Sequence, residues 1–174
     1  MKLFLIIMTL SVTSVTNEPG RNTLYKTVTI AGKTWMAENY SGNISTGSCY
    51  ENDLSNCMNA GRLYSYDEAI KNTPSGWHLP SRKEWESLLE EIRKTGKDPF
   101  IVMSEGEFNA KFAGFKDSYG DFSKKGFQVR FWSSDEWGNQ NNKAWYMYLN
   151  KSRLMADIDT DDKKCLFSVR YVKN

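Results

Sequence analysis

The chain has 174 residues, with 23 Lys and Arg against 21 Asp and Glu, for a formal charge of +2. So even a balance, without a long basic run, excludes the electrostatic footprint of a nucleic-acid binder. The length fits one domain able to bury a core without metal or disulfide support, and an aromatic content of 14% points to an aromatic core or an adhesive surface.

The chain opens with Met1-Lys2, the apolar run Leu3 to Leu10 and the small polar residues Ser11 to Ser14. That order predicts a secretory signal peptide over residues 1–17, a short lead over 18–24 and a single domain over 25–174. The competing reading is an N-terminal core strand. The apolar run is too short to span a bilayer, so no membrane span is expected after cleavage. No lipid-anchor cysteine follows it, so the expected destination is secreted or cell-surface.

Tyr25 to Ile30 alternates, Ala31-Gly32 is a tight turn and Lys33 to Glu38 follows, which predicts a hairpin. Asn39 to Asn59 has little periodicity and reads as a long ordered loop. In an exported chain, Cys49 and Cys57 fit a local disulfide inside it. Cys165 is then left over, either as a buried thiol or as an alternative partner for Cys49 or Cys57. With no CxxC pair and no nearby histidine, a three-cysteine zinc site is a poor fit.

Gly61 to Tyr64 reads as a short strand. Ser65 with Glu68 forms a capping box for a helix from Tyr66 to Lys71. Ser81 with Glu84 forms another, and Trp85, Leu88, Leu89 and Ile92 make one apolar stripe for a helix from Arg82 to Thr95. Beyond Gly96, the spacing of Phe108, Phe112 and Phe115 predicts turns, short strands and a helical turn near Phe108. Four strands are expected at Phe127 to Trp132, Ala144 to Leu149, Arg153 to Ile158 and Leu166 to Val172. A polar loop at Ser133 to Lys143, a tight turn near Asn150-Lys151 and an acidic turn at Asp159 to Lys164 separate them. The order of elements argues for an α+β fold with antiparallel sheets.

Several ordered segments resemble the Fibrobacter succinogenes major paralogous domain family. They are Gly32 to Asn39, Cys49 to Asp53 with Cys57, Gly61 to Ser65, Pro74 to Trp85, Phe131 to Ser134 and Phe167 to Arg170. The resemblance covers Tyr25 to Lys173. It implies a C-type lectin-like fold, similar in shape to formylglycine-generating enzymes, with first and last strands together, two flanking helices and long loops at one end. Members of the family commonly carry a further cysteine pair, and the matching positions here are Thr73 and Tyr171. None of the three cysteines falls in an oxidase motif, so the resemblance bears on shape rather than chemistry.

Candidate chemistry is sparse. His78, the only histidine, would have to serve any triad, yet it precedes a helix cap where an imidazole holds a turn, so its expected role is structural. Trp35, Trp77, Trp85, Trp132, Ser81 and Glu84 are assigned structural roles with it, and the tryptophans other than Trp137 are expected in the core. The polar loop offers Asp135, Glu136, Trp137, Asn139, Asn141, Asn142 and Trp145, a mix of carboxylates, amides and indole suited to sugar hydroxyls and apolar sugar faces. Asp157, Asp159 and Asp161 imitate the start of a calcium loop, but the glycine and the terminal glutamate of that motif are missing.

The expected function is an exported, noncatalytic binding or display module whose partner is a polysaccharide or a surface protein, without a cofactor. Two alternatives stand beside it: a calcium-dependent lectin holding Ca2+, and a secreted enzyme using His78.

Overall fold

The computed structural model describes residues 25–42, 45–138 and 142–174. The expected leader and lead over 1–24 lie outside the described residues. Strands β1 (Thr27–Ile30) and β2 (Lys33–Met36) form the opening antiparallel hairpin, with Thr27 opposite Met36 and Ile30 opposite Lys33. Ala31 (φ 54°) and Gly32 (φ 72°) both occupy the left-handed region that a two-residue turn of this hand requires.

The segment expected to be all loop contains a short 3-10 turn at Tyr50–Asn52 and helix α1 (Leu54–Ala60). Its start was written in the sequence, since Asp53 caps it by accepting the Ser55 N–H at 2.8 Å. Its periodicity was not, because Leu54 and Met58 point outward and lie 70% and 87% exposed. Cys57 on α1 is disulfide-bonded to Cys49, while Cys165 is free and buried. Burial and the neighbouring Asp161 push the Cys165 thiol up to about 12, which makes it inert at neutral pH.

Helices α2 (Tyr66–Lys71) and α3 (Arg82–Lys94) both begin with complete capping boxes, Ser65 with Glu68 and Ser81 with Glu84. Between them lies β3 (Trp77–His78). A fourth helix, α4 (Pro99–Glu105), replaces the expected turns: Asp98 accepts the Phe100 N–H at 2.7 Å and Pro99 sits in the first turn. Seven residues supply only Phe100 and Met103 as deeply buried large side chains, too few for a recognisable stripe.

The rest is strand. β4 (Phe115–Lys116) pairs with β5 (Phe122–Ser123), and a three-stranded antiparallel sheet runs β6 (Gln128–Glu136), β7 (Lys143–Asn150), β8 (Met155–Asp162). β9 (Val172–Lys173) enters a four-stranded sheet in the order β1-β2-β9-β3, which joins the start of the domain to its end. The expected strand Leu166 to Val172 is corrected. Leu166, Phe167 and Ser168 make single bridges to Lys116, Tyr64 and Phe131 instead of following one neighbour. The segment threads the interior between several elements, so no continuous ladder forms.

The three-stranded sheet packs part of each face into a core cluster. Met147 and Leu149 join Trp35, Trp85, Leu88, Phe100 and Phe131 in one cluster; Ala144 and Tyr146 join Trp132, Tyr64, Phe167 and Tyr171 in another. Trp35, Trp85 and Trp132 are fully enclosed, as expected. Trp77 and Trp145 are corrected to half-buried positions: Trp77 lies on the edge strand β3, and Trp145 lies under the Arg82 guanidinium, 3.9 Å from its ring centre.

A buried polar knot ties the elements together. Arg170 is completely enclosed and donates to Asn39 Oδ1 twice (3.2 and 2.8 Å), Met36 O (2.8 Å), Phe108 O (2.6 Å) and Asn109 O (2.9 Å). Every N–H of the guanidinium is therefore used, which is what a buried cation requires. Asn39 Nδ2 in turn donates to Ala60 O (2.9 Å) and Lys111 O (3.0 Å). At the two positions that the resemblance marks for a cysteine pair, Tyr171 Oη donates to Ala69 O at 2.7 Å, and Thr73 Oγ1 donates to the same carbonyl at 3.4 Å and to Ile70 O at 2.8 Å. A polar clasp between α2 and the last strand stands where a covalent one would be.

The expected acidic turn is also corrected, because β8 continues to Asp162. Asp157, Asp159 and Asp161 alternate along this outer strand, and each Oδ1 accepts the next residue's backbone N–H, from Ile158 (2.9 Å), Thr160 (2.7 Å) and Asp162 (2.8 Å). The side chains occupy donors that an unpaired edge would otherwise present to another strand.

Candidate functional site

His78 is fully engaged. Its Nδ1 lies 2.7 Å from Asn174 Oδ1 and its Nε2 lies 2.9 Å from Glu84 Oε1, which also meets Lys33 Nζ at 2.9 Å. The other Glu84 oxygen accepts the Ser81 N–H at 2.8 Å. Burial alone would push the Glu84 carboxyl up, but the Ser81 N–H, His78, Lys33 and the Ser81 hydroxyl together hold it down at about 2. This carboxylate joins the β1–β2 hairpin, β3 and α3.

The polar residues of the 133–145 region are gathered by the bulge in β6 near Trp132 and by the start of β7. Asp135 accepts the Arg82 N–H at 2.5 Å and the Ser133 hydroxyl at 3.2 Å, so it serves as an additional cap on α3. Glu136 pairs with Lys163 at 2.6 Å, and Asn142 donates to Asp162 at 3.3 Å. Trp137 lies beneath Lys143 Nζ, 5.4 Å from the ring centre. Asn139 and Asn141 lie outside the described residues. The described residues of the region are thus a set of internal pairs, with Asp135, Arg82 and Trp145 brought together at the head of α3.

Asp157, Asp159 and Asp161 do not converge. Alternate residues of a strand stand about 7 Å apart along one line, and among the described residues no three His, Cys, Asp or Glu side chains form a metal-binding group.

A cleft of about 410 Å3 lies elsewhere, over one face of the three-stranded sheet, between the approach to β6 and the β7–β8 turn. Cross-strand register builds it: Gln128 faces Asn150, Arg130 faces Tyr148, and Tyr148 faces Asp157; one step along, Tyr146 faces Asp159. Arg130 forms part of the floor, held by Asp161 at 2.8 Å and laid over the Phe115 ring at 3.5 Å. Phe127 stands 58% exposed at one wall.

Unlike the 133–145 region, this cleft holds unspent groups. The hydroxyls of Tyr146 and Tyr148 have no hydrogen-bond partner among the described residues, and Asp159 uses one oxygen on Thr160. Burial, opposed by Arg130, raises the Tyr146 hydroxyl well above its ordinary range, and burial with Asp157 and Asp159 raises that of Tyr148. Both therefore remain protonated donors at neutral pH. Sequence reading missed these residues; the only signal was Tyr146 and Tyr148 in alternation on β7, which core packing explained equally well.

The architecture is that of an α+β domain whose first hairpin and last strand share a sheet, with a polar, ring-flanked cleft on the second sheet. The family model of the Fibrobacter succinogenes major domain matches residues 28–173, and the chain belongs to that family. No curated protein and no solved structure matches it.

Proposed function

We propose that this domain is an exported, noncatalytic binding module, built in the C-type lectin-like manner, that holds a polysaccharide chain across the cleft of the β6–β8 sheet. The observation that carries the reading is the pairing of unspent tyrosine hydroxyls and an Asp159 oxygen with aromatic surface at Tyr148 and Phe127. Sugar recognition needs both: acceptors and donors for hydroxyls, and an apolar face for ring C–H groups. The engagement of His78 on both ring nitrogens supports a holding role for that residue rather than an acid–base one.

The test is a glycan and cell-wall polymer array probed with the purified protein and with Tyr148→Ala. Loss of the bound signal in the variant, and its retention in Trp137→Ala, is the expected outcome. Binding that survives Tyr148→Ala and disappears with Trp137→Ala would move the site to the 133–145 loop. The signal is expected to be unchanged by calcium chelation, because the aspartate oxygens nearest the cleft are spread along a strand.

A further inference from the structure

We infer that the polymer held in the cleft is anionic, a polysaccharide bearing carboxylate or sulfate groups; this rests on the polysaccharide-binding reading above. Two cations rim the cleft without a carboxylate partner among the described residues, Lys124 and Arg153, and both are solvent-exposed. They differ from Arg130, whose charge is answered by Asp161. The cleft therefore has two cations free of ion pairs at its rim, set apart from Asp159 in the lining and Asp157 beside it on β8.

The backbone fixes where those charges stand. Lys124 is held in the left-handed region at φ 62°, and the Arg153 N–H donates to Asn150 Oδ1 at 3.2 Å, which pins the β7–β8 turn. Both cations thus project from constrained turns at one end of the cleft, while Asp157 and Asp159 lie on the β8 side. A neutral sugar would leave the rim cations without a role in recognition. A sugar with an acid group satisfies them and turns its hydroxyls toward Tyr146, Tyr148 and Asp159, with repulsion from the aspartates opposing the reversed orientation.

The experiment is affinity electrophoresis and titration of the full protein against polygalacturonate, dextran sulfate and neutral dextran. The variants are Lys124→Asn, Arg153→Gln and their combination. Both positions are exposed, and Asn tolerates the left-handed backbone at 124. Stronger binding to at least one acidic polymer than to dextran is expected, with affinity falling about tenfold or more in the double variant and its salt dependence flattening. Polygalacturonate against dextran sulfate separates the carboxylate source from the sulfate one. Equal or better binding to neutral glycans overturns the anionic inference while leaving the binding reading intact. Binding to no polysaccharide on the array or in the gels overturns both. Acidic binding of unchanged strength in the double variant overturns the assignment to this cleft.

Discussion

Replacing Arg170 by Met removes a guanidinium that makes five hydrogen bonds inside the domain and leaves Met36 O, Phe108 O and Asn109 O short of a donor, while Asn39 Oδ1 keeps only the Lys111 N–H at 3.4 Å. Three orphaned acceptors at about 1–3 kcal/mol each give a gross loss of about 3–9 kcal/mol, offset in part by no longer burying a charge, so the net cost is about 4 kcal/mol. For a domain of this size that lowers the melting temperature by about 8–16 °C. Burial pulls the Arg170 pKa down to about 9, opposed by Glu38, so at neutral pH the lost group is a cation. Urea unfolding followed by tryptophan fluorescence reads the change, with Arg170→Lys as the comparison. Lysine's three donors cannot serve all four oxygens, and it is expected to lose about half as much. A loss below about 1 kcal/mol in Arg170→Met would refute the claim that this knot ties the sheets to the loops.

Glu84 gives a pH test. Its folded pKa of about 2 lies below the ordinary 4.5, so its contribution is complete above about pH 5 and fades as pH falls towards 2. Allowing for partly exposed partners, that contribution is on the order of 2 kcal/mol; the urea midpoints of wild type and Glu84→Gln should differ at pH 6 and converge near pH 2.5. Gly114→Ala places a Cβ 2.6 Å from Ser123 O and 2.7 Å from Lys125 N at φ +71°, and a thermal melt should show a loss of roughly 2–4 kcal/mol. Reduction of Cys49–Cys57, separated by 8 residues, should cost about 2.5 kcal/mol by loop entropy, read as a midpoint shift with and without reductant. Replacing Asp157, Asp159 and Asp161 together by Thr should produce concentration-dependent association in sedimentation velocity; a persistently monomeric triple variant would show that these side chains do not guard the edge.

Legibility in the sequence followed how local the physics was. The boxes at Ser65 and Ser81, the Ala31-Gly32 turn and the short disulfide loop all depend on residues close in the chain, and each is found as read. Helices α1 and α4 were missed despite good caps, because seven residues cannot display a full apolar period. Arg170 was hidden for a different reason: arginine is ordinarily a surface residue, and the carbonyls that satisfy it come from segments more than 60 positions away. The cleft was unreadable because β7 is apolar or aromatic on both faces, so alternation could not say which tyrosines reach an open space. The 133–145 residues were read as a polar loop, but β6 runs on to Glu136 and β7 begins at Lys143, and sequence could not reveal that Asp135, Glu136 and Asn142 had partners inside the same molecule.

The outer strand of the second sheet has a consequence for crowding. A protein packed at high density on a surface brings identical sheet margins within reach of one another, where a bare margin would let neighbouring copies merge into a continuous ribbon. Here the margin answers its own backbone donors at Ile158, Thr160 and Asp162 before a neighbour can. Identical margins brought side by side in this way stay the margins of separate molecules.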